Sequence, residues 1–215
     1  MPQTSASSPA KERIIDAAVS LFNTKGYNGT SVREIANKAK VNVAHISYYF
    51  NGKGGLLEYL VSQYFEGYLT VMEQGYAKLS YLPPKDCLIQ LILDILNYQH
   101  NNRQLARFVL RETTLDSVLI REVMTTYLSK EKYLFIEIFE KGMAAGEFRK
   151  LPSVHMIVQL KSLLMMPYLQ PQYMGEVLYL QTHEPYFVKQ YFSELCLWVQ
   201  TALMNDSSSQ IIMTT

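Results

Sequence analysis

SVREIANKAKVNVAHISYYFNGK, residues 31–53, reads as two short helices joined by a tight turn, with a third helix set to begin just beyond Lys53. Ser31-Val32-Arg33-Glu34 is a capping box, in which the Ser31 hydroxyl accepts from the N–H of Glu34 and the Glu34 carboxylate reaches back to the N–H of Ser31. Val32, Ile35, Ala36 and Ala39 then recur at helical spacing and give one apolar face. Ala36 is small enough to let a second helix cross closely. The pattern breaks at Lys40-Val41-Asn42, where Asn42 is a good N-cap for the next helix. On that helix Ile46, Tyr49 and Phe50 turn back toward Val41, which leaves Ala44, His45, Ser47 and Tyr48 facing outward.

Such an outward face suits a polar groove. In a helix-turn-helix the second helix enters the major groove and offers its N-terminal residues to base edges. Val43 and Ala44 can meet a thymine methyl, and His45 and Ser47 can hydrogen-bond to bases. Tyr48 and Tyr49 have the reach for phosphate oxygens. Lys53 precedes Gly54-Gly55 at a helix start, which outlines a phosphate clamp. Ser31 at the capped helix end, Arg33, Lys40 and Asn42 complete the expected DNA-contacting set. A bare pattern of this kind also fits a buried three-helix packing unit with an ordinary solvated face.

Ile14 to Leu60 resembles the N-terminal domain of TetR/AcrR-type regulators. The matching residues are Ala17-Ala18, Leu21-Phe22, Lys25-Gly26-Tyr27, Thr30, Ile35-Ala36, Ala39, Val41, Ile46, Tyr49-Phe50, Lys53 and Leu56, at unbroken spacing. Lys40 stands where glycine is usual in the turn, and Ser47 where tyrosine is common, so a tyrosine–phosphate contact falls to Tyr48 or Tyr49. The resemblance implies an all-α, two-domain protein that binds a palindromic or near-palindromic DNA site as a homodimer. It also implies that the last two long helices pair with those of a second subunit. Three stretches, VNVAHISYYFNGKGGL, LARFVLRETTLDSVLIREV and MMPYLQPQYMGEVLYLQTHEPYF, are further similar to the FtsZ-regulating TetR-like group of endospore-forming bacilli. That likeness implies a nucleoid-associated, cytoplasmic dimer that limits FtsZ ring assembly. The alternative is a transcriptional repressor released by a small ligand.

Charge is unevenly placed. The net charge is +1, but residues 1–60 carry seven basic against four acidic side chains, a balance of +3 that leaves −2 for the rest. A basic small domain on a slightly acidic body fits a protein that touches DNA with one end. Cys87 and Cys196, the only cysteines, sit in apolar helical patterns and read as reduced core residues. The sequence offers no signal peptide and no apolar run of the ~18 residues a membrane span needs. His45, His100, His155 and His183 are dispersed, with no i, i+4 partner for a metal. Neither a phosphate-binding glycine loop nor a nucleophile elbow is present, so catalysis is not expected and no cofactor is implied.

The chain divides into a tail over 1–10, a helix-turn-helix domain over 11–55, a helical regulatory and dimerisation domain over 56–204, and a polar tail over 205–215. A helix of about 54–80 leads from the first domain into the second. Helices are expected from Asp86 to Asn101, Arg103 to Thr113, Asp116 to Ala145, Ser153 (as cap) to Pro167, and from about Glu184 to Met204. The last carries two adjacent apolar stripes. The stripe of Val188, Phe192, Cys196, Val199 and Leu203 is expected to face a second subunit, with Val188, Phe192, Val199 and Leu203 as the dimer contacts, unless both stripes are core. Arg103, Arg107 and Arg111 lie four apart, followed by Arg121 and Glu122. They form either a solvated face with ion pairs of little worth or a docking surface for another protein. Met143, Met156, Met165, Met166, Tyr168, Tyr173 and Met174 suit a plain core or an adaptable ligand pocket.

Overall fold

A computed structural model describes residues 8–115 and 117–205, and these are almost wholly helical. The expected tails at 1–7 and 206–215, and the helix start at Asp116, lie outside the described residues. The described chain folds into two compact units, which divide it differently from a linear cut.

The first unit takes residues up to Tyr64 together with Gln104–Leu115. Helix α1 (Pro9–Lys25) begins two residues earlier than the sequence pattern suggests. Proline suits the first helical position, and the Ser8 hydroxyl accepts from the Ala10 N–H. Ile14, Ala17, Ala18 and Phe22 bury one face of α1 against α2 (Val32–Ala39) and α3 (Ala44–Phe50). Helix α4 (Gly52–Ala77) starts in this unit, and Leu56 and Leu60 complete its core. Gly55 is needed there because a Cβ would lie 1.9 Å from the Phe50 carbonyl oxygen. The returning segment holds most of α6 (Arg103–Glu112). Phe108 stacks on Phe22 with ring centroids 5.0 Å apart, which explains why this stretch belongs with the first unit.

The second unit contains the rest of α4, then α5 (Pro84–Asn101), α7 (Val118–Val123), α8 (Ser129–Ala144), α9 (Ser153–Leu169) and α10 (Pro185–Trp198). Helix α5 is its centre, packed by α8, α9 and α10 over Leu88, Leu91, Ile92 and Ile95. The expected single helix from 116 to 145 is interrupted by a π-helical turn at Met124–Leu128, closed by the Ser129 N–H donating to the Met124 carbonyl, to which the Ser129 hydroxyl also donates. Similar turns lie at Tyr173–Val177 and Val199–Leu203. Ser153 does not cap α9: it is the first helical residue, and Pro152 occupies the cap position without a side-chain bond. A polar triad ties three helices of this unit together, with the buried Glu131 accepting from the buried Tyr68 hydroxyl at 2.7 Å and from the ammonium of the half-buried Lys161.

Candidate nucleic-acid interface

The capping box forms. The Ser31 hydroxyl accepts from the Glu34 N–H at 3.3 Å, and Glu34 accepts from the Ser31 N–H at 2.8 Å. Lys25 closes on the same carboxylate at 2.6 Å. Lys25, then the Ser31 donors, hold the Glu34 carboxyl down to about 2. At the other end of α2, Lys40 adopts the left-handed conformation with φ 55°. Its N–H donates to Asn37, and the next N–H, of Val41, donates to Ala36, which closes the helix end in the manner that glycine usually serves. Arg13 adds a bond from its Nε to the Ala39 carbonyl at 3.1 Å.

Asn42 is a cap, one residue further out than usual: its Oδ1 accepts from the Ala44 N–H at 2.9 Å while Val43 is already helical. Ile46 and Phe50 bury the inner face of α3. Asn42, Val43, Ala44, His45, Ser47 and Tyr48 are all exposed, at the start of α3 and along its uncovered side. Tyr48 is the extreme case at 80% exposure. Tyr49 is half-buried. Its ring meets those of His45 and Tyr48, and its hydroxyl donates to Ser8 at 3.1 Å. Ser31, Arg33 and Lys40 are exposed on α2 or its ends.

Lys53 is placed differently from an open clamp. Its ammonium donates to the carbonyls of Tyr27 at 3.0 Å and Thr30 at 2.9 Å, and lies 4.3 Å from the centre of the Tyr27 ring. Sequence reasoning missed Arg13, Tyr27, Thr30 and Lys11 as supports; Lys11 sits over the Tyr59 ring at 4.3 Å. The invariable spacing of a helix pattern carries no signal for contacts with carbonyls two dozen residues away.

The remaining candidates separate. Arg103 is exposed, whereas Arg107 is half-buried, and burial beside Arg111 pulls its guanidinium below the usual arginine range. Arg111 donates to the Phe22 carbonyl at 2.7 Å, at the C-terminal end of α1, and so serves the first unit's own packing. Arg121 and Glu122 are exposed on α7 next to Val118. Of the expected dimer contacts, Val188, Val199 and Leu203 are buried within the single chain, and Phe192 is half-buried. The apolar side chains that α9 and α10 leave fully exposed are Val154, Val158, Tyr186 and Leu197. Among the described residues no group of three His, Cys, Asp or Glu could hold a metal, and no helix is long and apolar enough to cross a membrane. Cys87 is a buried thiol pushed up to about 11 by burial.

The sequence pattern of bacterial regulatory proteins of the tetR family matches residues 14–60. Over 191 residues, 89% of this chain and 92% of the relative, the sequence is 60% identical to a probable HTH-type transcriptional regulator, YttP, of Bacillus subtilis. Among solved structures, the ketosteroid transcriptional regulator KstR2 of Mycobacterium tuberculosis superposes with a TM-score of 0.76 at 13% identity, covering 94% of this chain and 97% of that one. A TetR family transcriptional regulator, PfmR, from Thermus thermophilus gives 0.73 at 18% identity, over 87% and 96%. At such identities the two structures speak to the fold alone.

Proposed function

Because this chain belongs to the tetR family, whose members are dimeric DNA-binding transcriptional regulators and not enzymes, we propose that it binds a palindromic chromosomal site as a homodimer and, so placed, limits FtsZ ring assembly during sporulation. The observation that carries the DNA reading is the open face of α3, where Val43, Ala44, His45, Ser47 and Tyr48 stand together above a core sealed by Ile46 and Phe50. Val43 and Ala44 serve thymine methyls, and His45 and Ser47 serve base-edge donors and acceptors. Tyr48, Ser31, Arg33 and Lys40 are left for the phosphate backbone.

A palindrome needs two such faces about one helical turn apart, ~34–36 Å or a multiple. Val154 and Val158 on α9 with Tyr186 and Leu197 on α10 are the apolar groups that support a self-complementary contact. The division role rests on the chain-wide resemblance and on α7, where Val118 is 76% exposed beside Arg121 and Glu122. An apolar centre with charged neighbours on a body helix suits a protein partner. A second reading, release from DNA by a small ligand, draws on the Tyr68–Glu131–Lys161 triad, since polar groups inside the body such as Glu131 are what a ligand would reorganise.

Genome-wide occupancy measured together with transcript levels in a deletion strain separates the two. Sites away from promoters with unchanged transcripts are expected for the division regulator. Occupied promoters whose transcripts rise on deletion mean that the repressor reading is the right one.

A further inference from the structure

Helices α9 and α10 run antiparallel. The Tyr191 hydroxyl in α10 donates to the Leu163 carbonyl in α9 at 2.8 Å. Beyond α10 the chain is tied to the loop just ahead of α9, where Met204 pairs with Phe148 in an isolated β-bridge and the Arg149 N–H donates to the Leu203 carbonyl at 2.8 Å. The start of α10 therefore lies toward the end of α9, and residues 170–184 link the two there. This link is built, not slack. The Leu178 N–H donates to the Tyr173 carbonyl at 3.1 Å and the Leu180 N–H to that of Met174 at 2.8 Å, and Met174 and Thr182 are buried. It nevertheless leaves Tyr173, Val177, Leu178, Tyr179 and Leu180 exposed, five large apolar side chains in eight residues. Tyr179 is 81% exposed and holds φ 57°, a left-handed conformation that a bulky L-residue rarely takes. Glycine or asparagine would make that turn at lower cost, so the chain's own fold gives no reason for a ring at 179.

We propose that the 173–180 link meets a second copy of this chain, extending the exposed faces of α9 and α10; the inference rests on the homodimer reading above and names a further part of its contact. Area argues for that occupant. With residue areas of roughly 150–250 Å², Val154, Val158, Tyr186 and Leu197 offer about 400 Å² at their observed exposures. A lasting homodimer buries at least about 1,000 Å² per partner, about 65% of it apolar. The five side chains of the link add roughly 500 Å², which carries the combined apolar surface past that mark. Charge argues against a lipid surface as the occupant: residues 170–184 hold Glu176 and Glu184 and no Lys or Arg to meet anionic headgroups.

The test is sedimentation equilibrium of the full-length chain carrying Tyr179→Asn, alone and combined with Val177→Ser. Asparagine suits the left-handed turn, so the circular dichroism spectrum is expected to be kept. Loss of an interfacial ring should raise the dimer Kd by about tenfold, and the second change should raise it further. Tyr81→Asn, at a ring 71% exposed in the turn before α5, serves as the control and should leave Kd unchanged. Amide exchange of the wild-type chain over residues 177–181 checks the point without a substitution. Protection that grows with protein concentration is expected, and exchange that stays constant through the dimer transition overturns the inference. A wild-type chain that sediments as a monomer, or a dimer left whole by both Leu197→Asp and Val158→Asp, overturns the homodimer reading of α9 and α10. A dimer that those changes split and the Tyr179 variants leave intact overturns the role of the link alone.

Discussion

Lys40 holds a conformation that costs an L-residue roughly 1–2 kcal/mol, at the one point where the turn between α2 and α3 demands it. Lys40→Gly is therefore expected to raise the unfolding free energy, by about 0.5–1 kcal/mol once the extra freedom of the unfolded glycine is allowed for. The same change removes an exposed charge beside the DNA face, so operator affinity should fall while stability rises. Urea denaturation and a salt titration of binding read the two effects, and an unchanged affinity and salt slope would mean that Lys40 has no DNA contact. Glu34 gives a pH-dependent counterpart. Its carboxyl is held below the unfolded value by Lys25 and Ser31, so its contribution is present above about pH 4.5 and lost as pH falls toward 2. Replacing Glu34 with Gln should flatten that acid limb in denaturation curves taken between pH 5 and 2. At this scale the capping box and the Asn42 cap were legible, because each is a bond between residues two or three apart. The partners of Lys53 and Arg111 were not, since they are backbone oxygens 23, 26 and 89 residues away and any residue type supplies those.

Helix identity and order could be read from apolar spacing, but spacing alone does not say which of two adjacent stripes is covered. Val188 on α10 and Val199 and Leu203 in the turn after it are buried, whereas Phe192 and Cys196 of the same stripe are half-buried, and the fully exposed apolar groups of α10 are Tyr186 and Leu197. The π-helical turn at Met124–Leu128 was equally hidden, because one wide turn shifts the register without removing any apolar position. These exposed groups make the proposed dimer testable with less risk to the fold than a half-buried site such as Phe192. Leu197→Asp, or Val158→Asp on α9, is expected to leave the circular dichroism spectrum intact and to give monomers in sedimentation, with specific DNA binding lost. A folded variant that still sediments as a dimer would place the contact on another face.

For the whole molecule, the question is whether DNA binding is the end of the function or its address. Arg121→Ala on α7 should bind the operator as the wild type does, because exposed charges contribute only ~0–1 kcal/mol to a fold. On the proposed division role, with Arg121 in the partner surface, the same variant should fail to restrain division in the cell, since an interfacial arginine that anchors a partner is worth ~2 kcal/mol or more. Operator affinity and cell-length distribution of one strain decide, and loss of both together would assign the arginine to the fold. Arg111 is excluded from this series because its guanidinium already serves the end of α1.

The return of residues 104–115 to the first unit has an evolutionary edge. A head that reads DNA is the part most worth trading between regulators, and a single crossover near residue 60 looks sufficient to transfer it. Here such a crossover would pair Phe22 from one parent with Phe108 from another and leave the end of α1 without its own Arg111. Recombination that respects this chain must move two separate pieces at once, so its head and body are expected to have been inherited together, with new binding sites reached by point changes on α3.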